Sequence, residues 1–446
     1  VMSMKKLFDI DKHDLMFHNK ALFALLIPIV VEQLLNSFMG MVDTMMVSNL
    51  GSQAISGVSL VDSVNNLIVQ LFSAMATGAA IICSHYIGMR NKDGANKAAR
   101  QVVLTVMAIS LAITILGLIF RRPLLTLIFG HVEQEVMDNA VDYFLFTALS
   151  YPFLALFSAG SAIFRSCGNS RYPMMVSVIS NVFNIGGNAL LMFVFKLGVS
   201  GAAISTLVSR VFCMVVIFIA LSKPKLDIVV KDYTAIRPDF GLIKSILAIG
   251  VPSGIENSMF QLGKLAIQST VSTLGTTAIA AQAMTNMLEM LNGTAVIGVG
   301  IGLMTVVGQS LGAGRKDEAV YYMKKLMIFS EVFLIACCAV VYVLARPITM
   351  IGGMEAKSAE MCLDMMFWIT IVKPIVWMFA FIPAYGMRAA GDVKFSMITS
   401  CITMWTFRFC LCVYLIRVCG MGPMAVWIGM FTDWTVRAIV FSLRFK

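Results

Sequence analysis

The sequence predicts an all-α integral membrane protein of twelve transmembrane helices, arranged as two six-helix lobes related by a parallel internal repeat. Three observations carry that prediction: an extreme apolar composition, twelve long apolar stretches, and a duplication with a period of 224 residues. Of the 446 residues, 59% are hydrophobic and only 13% charged, and the mean hydropathy is +0.86. Soluble domains hold about 45–50% apolar and about 25% charged residues, so this chain lacks the polar side chains to cover a water-facing surface. The same figures exclude a disordered chain, a collagen and a disulfide scaffold.

Runs of roughly 20 apolar residues mark membrane spans. They fall at about 21–47, 54–86, 100–120, 139–165, 173–196, 199–222, 242–273, 277–309, 325–345, 357–387, 394–417 and 421–443. Residues 2–20 mix Lys5, Lys6, Asp9, Asp11, Lys12 and Asp14 without the compact apolar core of a signal peptide, and read as an amphipathic lead-in. Short glycine turns, Asn49-Leu50-Gly51 and Thr273-Leu274-Gly275, join some spans. The longest polar connection, 223–240, separates an N-lobe (1–222) from a C-lobe (241–446). Of the 34 Lys and Arg residues, 23 fall in the segments on one side and six (Arg121, Arg122, Lys196, Arg346, Lys357, Arg417) on the other. Basic residues stay on the cytoplasmic side, so both termini and the 223–240 linker are expected there, in a multi-pass protein of the cytoplasmic (inner) membrane.

The duplication is legible by eye. Shifted by 224 residues, Pro28 meets Pro252, Glu32 meets Glu256, Leu50-Gly51 meets Leu274-Gly275, and Lys92-Asp93 meets Lys316-Asp317. From 28 to 95 there are 14 identities in 68 ungapped positions, where composition alone gives roughly a third of that. With a slightly smaller shift, Arg165-Ser166-Cys167-Gly168 resembles Arg388-Ala389-Ala390-Gly391. An even number of spans per copy makes the repeats parallel, an architecture of secondary transporters that carries the substrate cavity between the halves.

Several polar groups stand inside apolar spans. Asp43 lies between Met41-Val42 and Met45-Met46, and a carboxylate at that depth needs a partner, a proton or a cation. Asn181, Asn184 and Asn188 recur at three and four residues along one helical face. Their hard oxygens suit Na+ better than nitrogen or sulfur ligands would, and Thr206 offers a hydroxyl in the next span. Glu32 shares a face with Asp43 but lies about 16 Å away along the helix, too far to share one ion. In the C-lobe, Asn257, Gln261, Lys264 and Gln268 form one polar face, and Gln282, Asn286 and Glu289 another. These spacings predict a substrate cavity lined by Glu256, Gln261, Lys264, Gln282, Asn286 and Glu289, with Lys264 paired to Glu289 or Glu256. The 34 methionines fit lipid-facing packing first and a repacking cavity second.

Other chemistry is excluded. The net charge of +10 comes in short clusters without a nucleic-acid motif. The ten cysteines have no framework spacing and read as small hydrophobes. His85 and His131 lack partners at metal spacing, and neither a Ser-His-Asp set nor a G-x-x-x-x-G-K-[ST] loop occurs. No enzyme is expected.

Taken in order, Pro28, Met41-Val42-Asp43-Thr44, Asn49-Leu50-Gly51, Gly88 to Ala95, Arg165-Ser166-Cys167-Gly168-Asn169, Gly201 to Thr206 and Val307-Gly308-Gln309-Ser310-Leu311-Gly312 resemble the MATE (multidrug and toxic compound extrusion) transporters. The resemblance spans nearly the whole chain. It implies two six-helix lobes in a V and export of amphipathic, often cationic, compounds in exchange for Na+ or H+. Asp43, Asn184, Asn188 and Thr206 fall on that family's sodium-site pattern, with Asn188 where some members have a second Asp. Two departures stand out: Phe260 occupies a position where many members of one branch carry an acid, and 365–391 contain no acid at all. The expectation is therefore a monomeric multidrug antiporter for small amphipathic molecules in a lipid membrane, without a cofactor beyond the coupling ion. A flippase for a lipid-linked or polysaccharide substrate is the alternative, with a channel or membrane enzyme behind it.

Overall fold

A computed structural model describes residues 15–130, 134–223, 228 and 237–445. The described chain is helical throughout: α1 (Asn19–Ser48), α2 (Ser52–Gly88), α3 (Lys92–Ile119), α4 (Arg121–Phe129), α5 (Gln134–Leu149), α6 (Tyr151–Ser166), α7 (Arg171–Asn188), α8 (Val199–Leu221), α9 (Phe240–Val271), α10 (Thr276–Gly312), α11 (Lys316–Ile351), α12 (Ala356–Ala389), α13 (Val393–Thr403), α14 (Leu411–Arg417) and α15 (Met424–Phe445). Two π-helical turns, Ala189–Val194 and Met404–Cys410, continue α7 and α13. The repeat reappears as geometry. Helices α2 and α10 are each 37 residues long and begin and end 224 residues apart. Their preceding turns need Gly51 and Gly275, at φ of 112° and 98°, where a side chain is disfavoured.

Ten of the twelve expected spans are individually long and apolar enough to cross a bilayer. An eleventh is α5 with α6, which bend by 43° at Ser150, just before Pro152. Helix α9, at 32 residues, is long enough for the twelfth, but its polar face of Glu256, Asn257, Gln261, Lys264 and Gln268 keeps it below the same apolar threshold. Outward-facing Ile115, Leu116, Ile119, Val182, Phe183, Val343 and Ile375 are exposed on these helices, as lipid-facing side chains are. The chain is a multi-pass membrane protein.

The chain divides into two compact units, residues 19–254 and residues 255–446, the second joined by the N-terminal residues up to His18. In the first unit, α2, α3 and α6 meet through Ala79, Ala95, Ala98, Ala99, Ala155 and Ala159, with Phe72, Phe144 and Tyr151 filling the space between. Small residues let membrane helices approach without a hydrophobic drive. In the second unit, α10 packs against α11 and α12.

The sequence places the lobe boundary in 223–240, most of which lies outside the described residues. The compact units instead divide inside α9, between Gly254 and Ile255. The reason is packing at the start of α9. Gly78 of α2 lets the backbone of α9 come so close that a Cβ there would stand 2.9 Å from the Ile246 carbonyl and 3.2 Å from the Gly250 nitrogen. Just upstream, Gln101 of α3 accepts from the Asp239 N–H at 2.9 Å and donates to the Arg237 carbonyl at 2.7 Å. The hydrogen bond from Lys97 holds the Asp239 carboxyl below the usual carboxylate range, with the Leu242 N–H helping. The start of the chain mirrors this in the other unit: the Met16 N–H donates to Glu318, and the Phe17 N–H to the Tyr322 hydroxyl at 2.7 Å. Each half is thus preceded by a short lead-in anchored on the third long helix of the opposite half.

Gly78→Ala should cost about 1–3 kcal/mol, because the methyl group meets backbone rather than a flexible side chain. A lowered unfolding temperature of the detergent-purified protein is the expected reading; an unchanged one would remove Gly78 as the anchor of α9.

Candidate functional site

In the 19–254 unit, α1 brings Asp43 against the asparagine face of α7. Asn188 Nδ2 donates to Asp43 Oδ1 at 2.7 Å, and Asn184 Nδ2 to Oδ2 at 3.2 Å. The four-residue spacing is what lets both amides reach one carboxylate. Asn184 is fixed in turn by Ser205 of α8, whose hydroxyl lies 3.0 Å from Asn184 Oδ1. Gly187 permits that contact, since a Cβ there would collide with Ser205. Asn188 Oδ1 is buried and has no hydrogen-bond partner. The helix widens into its π turn directly after Asn188, a distortion that often marks functional positions.

The other sequence candidates lie apart from this cluster. Thr206 sits one residue beyond Ser205, but its hydroxyl donates to the Ala202 carbonyl of its own helix at 3.0 Å. Asn181 makes an interhelical bond to Asn36 at 3.2 Å. A second polar group adjoins the cluster that sequence reading passed over. Tyr143 donates to Asp62 at 3.3 Å, Tyr151 to Asn65, and Arg210 of α8 to Ser150. Arg210 lies within electrostatic range of both Asp43 and Asp62. Lone charges in apolar spans were the signal available for these residues.

Glu32 and Glu256, the repeat mates, hold equivalent ion pairs. Arg165 Nη2 stands 2.8 Å from Glu32, and Arg388 Nη2 2.9 Å from Glu256. Each carboxylate also accepts a serine hydroxyl from the following helix: Ser177 for Glu32 at 3.1 Å, Ser400 for Glu256 at 2.8 Å. The arginines are those of the repeated Arg-Ser-Cys-Gly and Arg-Ala-Ala-Gly segments. That recurrence explains the segments: each repeat ties its first helix to its fourth and fifth.

The 255–446 unit overturns the expected pairing of Lys264. Glu256 is taken by Arg388, and Glu289 by Lys373 of α12 at 2.7 Å. Lys373, fully enclosed, also donates to Asn292 at 2.6 Å and lies 4.9 Å from the Trp377 ring. A second buried set joins Asp433 of α15 to Arg408 and Arg437, each at 2.9 Å. Lys264 is exposed and has no ion pair among the described residues; its ammonium rests on the Phe260 ring at 4.6 Å. Of the remaining cavity candidates, Gln282 is buried, accepting from the Trp427 indole at 3.1 Å and donating to the exposed Asn286, while Gln261 is half-buried. Among the described residues no three His, Cys, Asp or Glu side chains gather as a metal cluster.

The MatE family model matches this chain twice, over residues 28–190 and 252–414. The chain belongs to the MatE family. The two matches coincide with the two copies of the repeat, and this MatE protein is a membrane transporter rather than an enzyme. Its relatives include the uncharacterized transporter YisQ of Bacillus subtilis, 28% identical over 96% of this chain and 94% of that protein. Another is the probable multidrug resistance protein NorM of Thermotoga maritima, 25% identical over 96% and 92%. Among solved structures, a MOP superfamily transporter from Pyrococcus furiosus superposes with a TM-score of 0.89 over 95% of this chain and 94% of that one. At 20% identity that likeness establishes the fold.

Removing one partner of a buried pair leaves an uncompensated charge, at about 3–5 kcal/mol. Arg165→Met alone should therefore destabilise this MatE protein by that order, and Glu32→Gln with Arg165→Met should recover most of the loss. Thermal unfolding of the two variants tests it; a double variant no better than the single one would show that Glu32 is not the group Arg165 neutralises.

Proposed function

We propose that the protein is a secondary active antiporter that expels amphipathic drug-like compounds in exchange for Na+ or H+, taking the coupling ion at Asp43. In this reading it works as a monomer in the cytoplasmic membrane, with both termini inside. The observation that carries the proposal is a carboxylate in an apolar span contacted only by neutral carboxamides. A carboxylate so placed gains far more from a cation or proton than one already neutralised by arginine. The oxygens on hand fit such an ion: both of Asp43 and the orphaned Oδ1 of Asn188. Hard oxygen donors of this kind suit Na+. Ion and drug exclude each other if ion binding favours the conformer that has released drug, and export follows from that population shift. The multidrug name carried by NorM supports the cargo class.

The test is export of a fluorescent dye from proteoliposomes, with Na+ and pH gradients imposed separately. Asp43→Asn keeps size and hydrogen bonding but not the charge, so both gradients should lose their effect while the protein still folds. Asn188→Ala should weaken Na+ coupling by about tenfold, the worth of one interaction with a charged group, and H+ coupling much less. Gradient-driven export by Asp43→Asn would refute the site; equal loss of both couplings in Asn188→Ala would remove the preference for sodium.

A further inference from the structure

In the 255–446 unit, apart from the Glu256–Arg388 pair and from Glu331 of α11, the four cations Lys264, Lys373, Arg408 and Arg437 stand with two carboxylates, Glu289 and Asp433. Glu289 is committed to Lys373, and Asp433 is shared by the two arginines. The excess settles on Lys264 and Arg408. Arg408 is 1% exposed, and its Nε and Nη1 have no hydrogen-bond partner. Its guanidinium lies 5.0 Å from the Phe260 ring, the same ring that carries the Lys264 ammonium at 4.6 Å. Two like charges therefore converge on one aromatic side chain, with Lys264 the exposed end and Arg408 the enclosed end.

Local construction favours this convergence. Arg408 belongs to the π turn Met404–Cys410, and Gly263 of α9 lets that turn approach, since a Cβ there would collide with the Met404 side chain. A purely structural network accounts for Asp433, which needs its arginines. It does not account for two enclosed guanidinium nitrogens without acceptors, which are rare in native folds, nor for a lysine beside them without an ion pair among the described residues.

The repeat sharpens the point. Helix α9, the π turn and α15 stand in the places of α1, α7 and α8. Lys264 corresponds to Gly40, one turn before Asp43; Arg408 corresponds to Ile185, and Asp433 to Arg210. The first unit offers a carboxylate with neutral amides and an arginine behind them. The second offers an ammonium and a guanidinium with a carboxylate behind them. The same three helices carry inverted charge.

We propose that Lys264 and Arg408, both against the Phe260 ring, form an anion-binding site for the carboxylate or phosphate group of an amphipathic organic substrate. An oxyanion supplies the acceptors that Arg408 lacks, and a guanidinium with its Nε and Nη1 unpartnered suits that geometry. The proposal rests on the reading of the protein as an exporter of amphipathic compounds and extends its cargo to anionic and zwitterionic molecules.

Equilibrium binding to the full-length protein in phosphatidylcholine nanodiscs tests it without any gradient, so failure of coupling at Asp43 would leave the result intact. Two dyes share a xanthene ring and differ in charge: fluorescein, an anion, and a cationic rhodamine. Fluorescence anisotropy should show fluorescein bound by the wild type, weakened by about tenfold in Lys264→Gln, with rhodamine binding unchanged or tighter. Lys264→Glu should reverse the preference. Arg408→Gln should also release fluorescein, but it leaves Asp433 with one cation and risks the fold, so exposed Lys264 carries the decision, with thermal unfolding as the check. No fluorescein binding by the wild type, or wild-type affinity in a folded Lys264→Gln, overturns the proposal. Fluorescein binding should persist when phosphatidylglycerol is added to the nanodiscs; its loss would make a lipid headgroup the ligand and overturn the substrate assignment.

Discussion

A charge placed inside an apolar helix must find its compensation within the same bundle, because neither lipid nor a second layer of water supplies it. The polar interior of this protein follows from that constraint. Glu32 takes Arg165, Glu256 takes Arg388, Glu289 takes Lys373 and Asp433 takes Arg408 with Arg437. Each pair joins elements far apart in sequence or fixes one turn of helix against another. Against that background, the groups without an opposite charge at hand become informative. Among the described residues Asp43 has two amides but no cation in ion-pair contact, Lys264 has no ion pair, and Arg408 keeps nitrogens without an acceptor.

The duplication supplies a control on which residues are framework. Where both copies keep the same chemistry, as in Glu32–Arg165 and Glu256–Arg388, the two units need it for the same reason, and that reason is architectural. Serine donors recur at the same places. Where the copies differ, as at Asp43 and Ile267 or at Ile185 and Arg408, architecture cannot be the cause, since one copy stands without the charge. Glu289 and Lys373 differ in the same way from Asn65 and Ser150. Connectivity adds a second shared feature: Met16–Phe17 bond to α11 and Arg237–Asp239 to α3, each within its own compact unit.

The fold class, the repeat and the asparagine face of α7 were legible in the sequence because each is a periodic signal. Apolar length gives spans, a constant offset gives the duplication, and spacing of three and four gives a face. What was not legible is partner choice. Lys264 looked like the mate of Glu289 because both stand on polar faces of neighbouring helices, yet Lys373, some 84 positions downstream, takes that carboxylate. Helical periodicity orients a side chain about its own axis and says nothing of which distant helix arrives beside it. The same limit hid the Arg408–Asp433–Arg437 set and Asp62 with Tyr143. A long polar connection marks where a chain is exposed, whereas the compact units divide inside α9, whose start Gly78 lets pack.

The two units thus answer one problem in opposite ways. In the first, Asp43 stands among neutral amides while the neighbouring arginine is held on Ser150, and in the proposed reading a small cation or proton meets its charge. In the second, Lys264 has no ion pair among the described residues and Arg408 keeps guanidinium nitrogens without an acceptor, and in the proposed reading an anionic group meets them. A duplicated bundle is suited to such division, because the framework pairs already hold each copy together and leave the differing positions free of structural duty. Ion coupling and substrate contact can then be placed on equivalent helices of different units. A conformational change that alters either unit's access to water changes the stability of its uncompensated charge, and that differential is what a transport cycle requires.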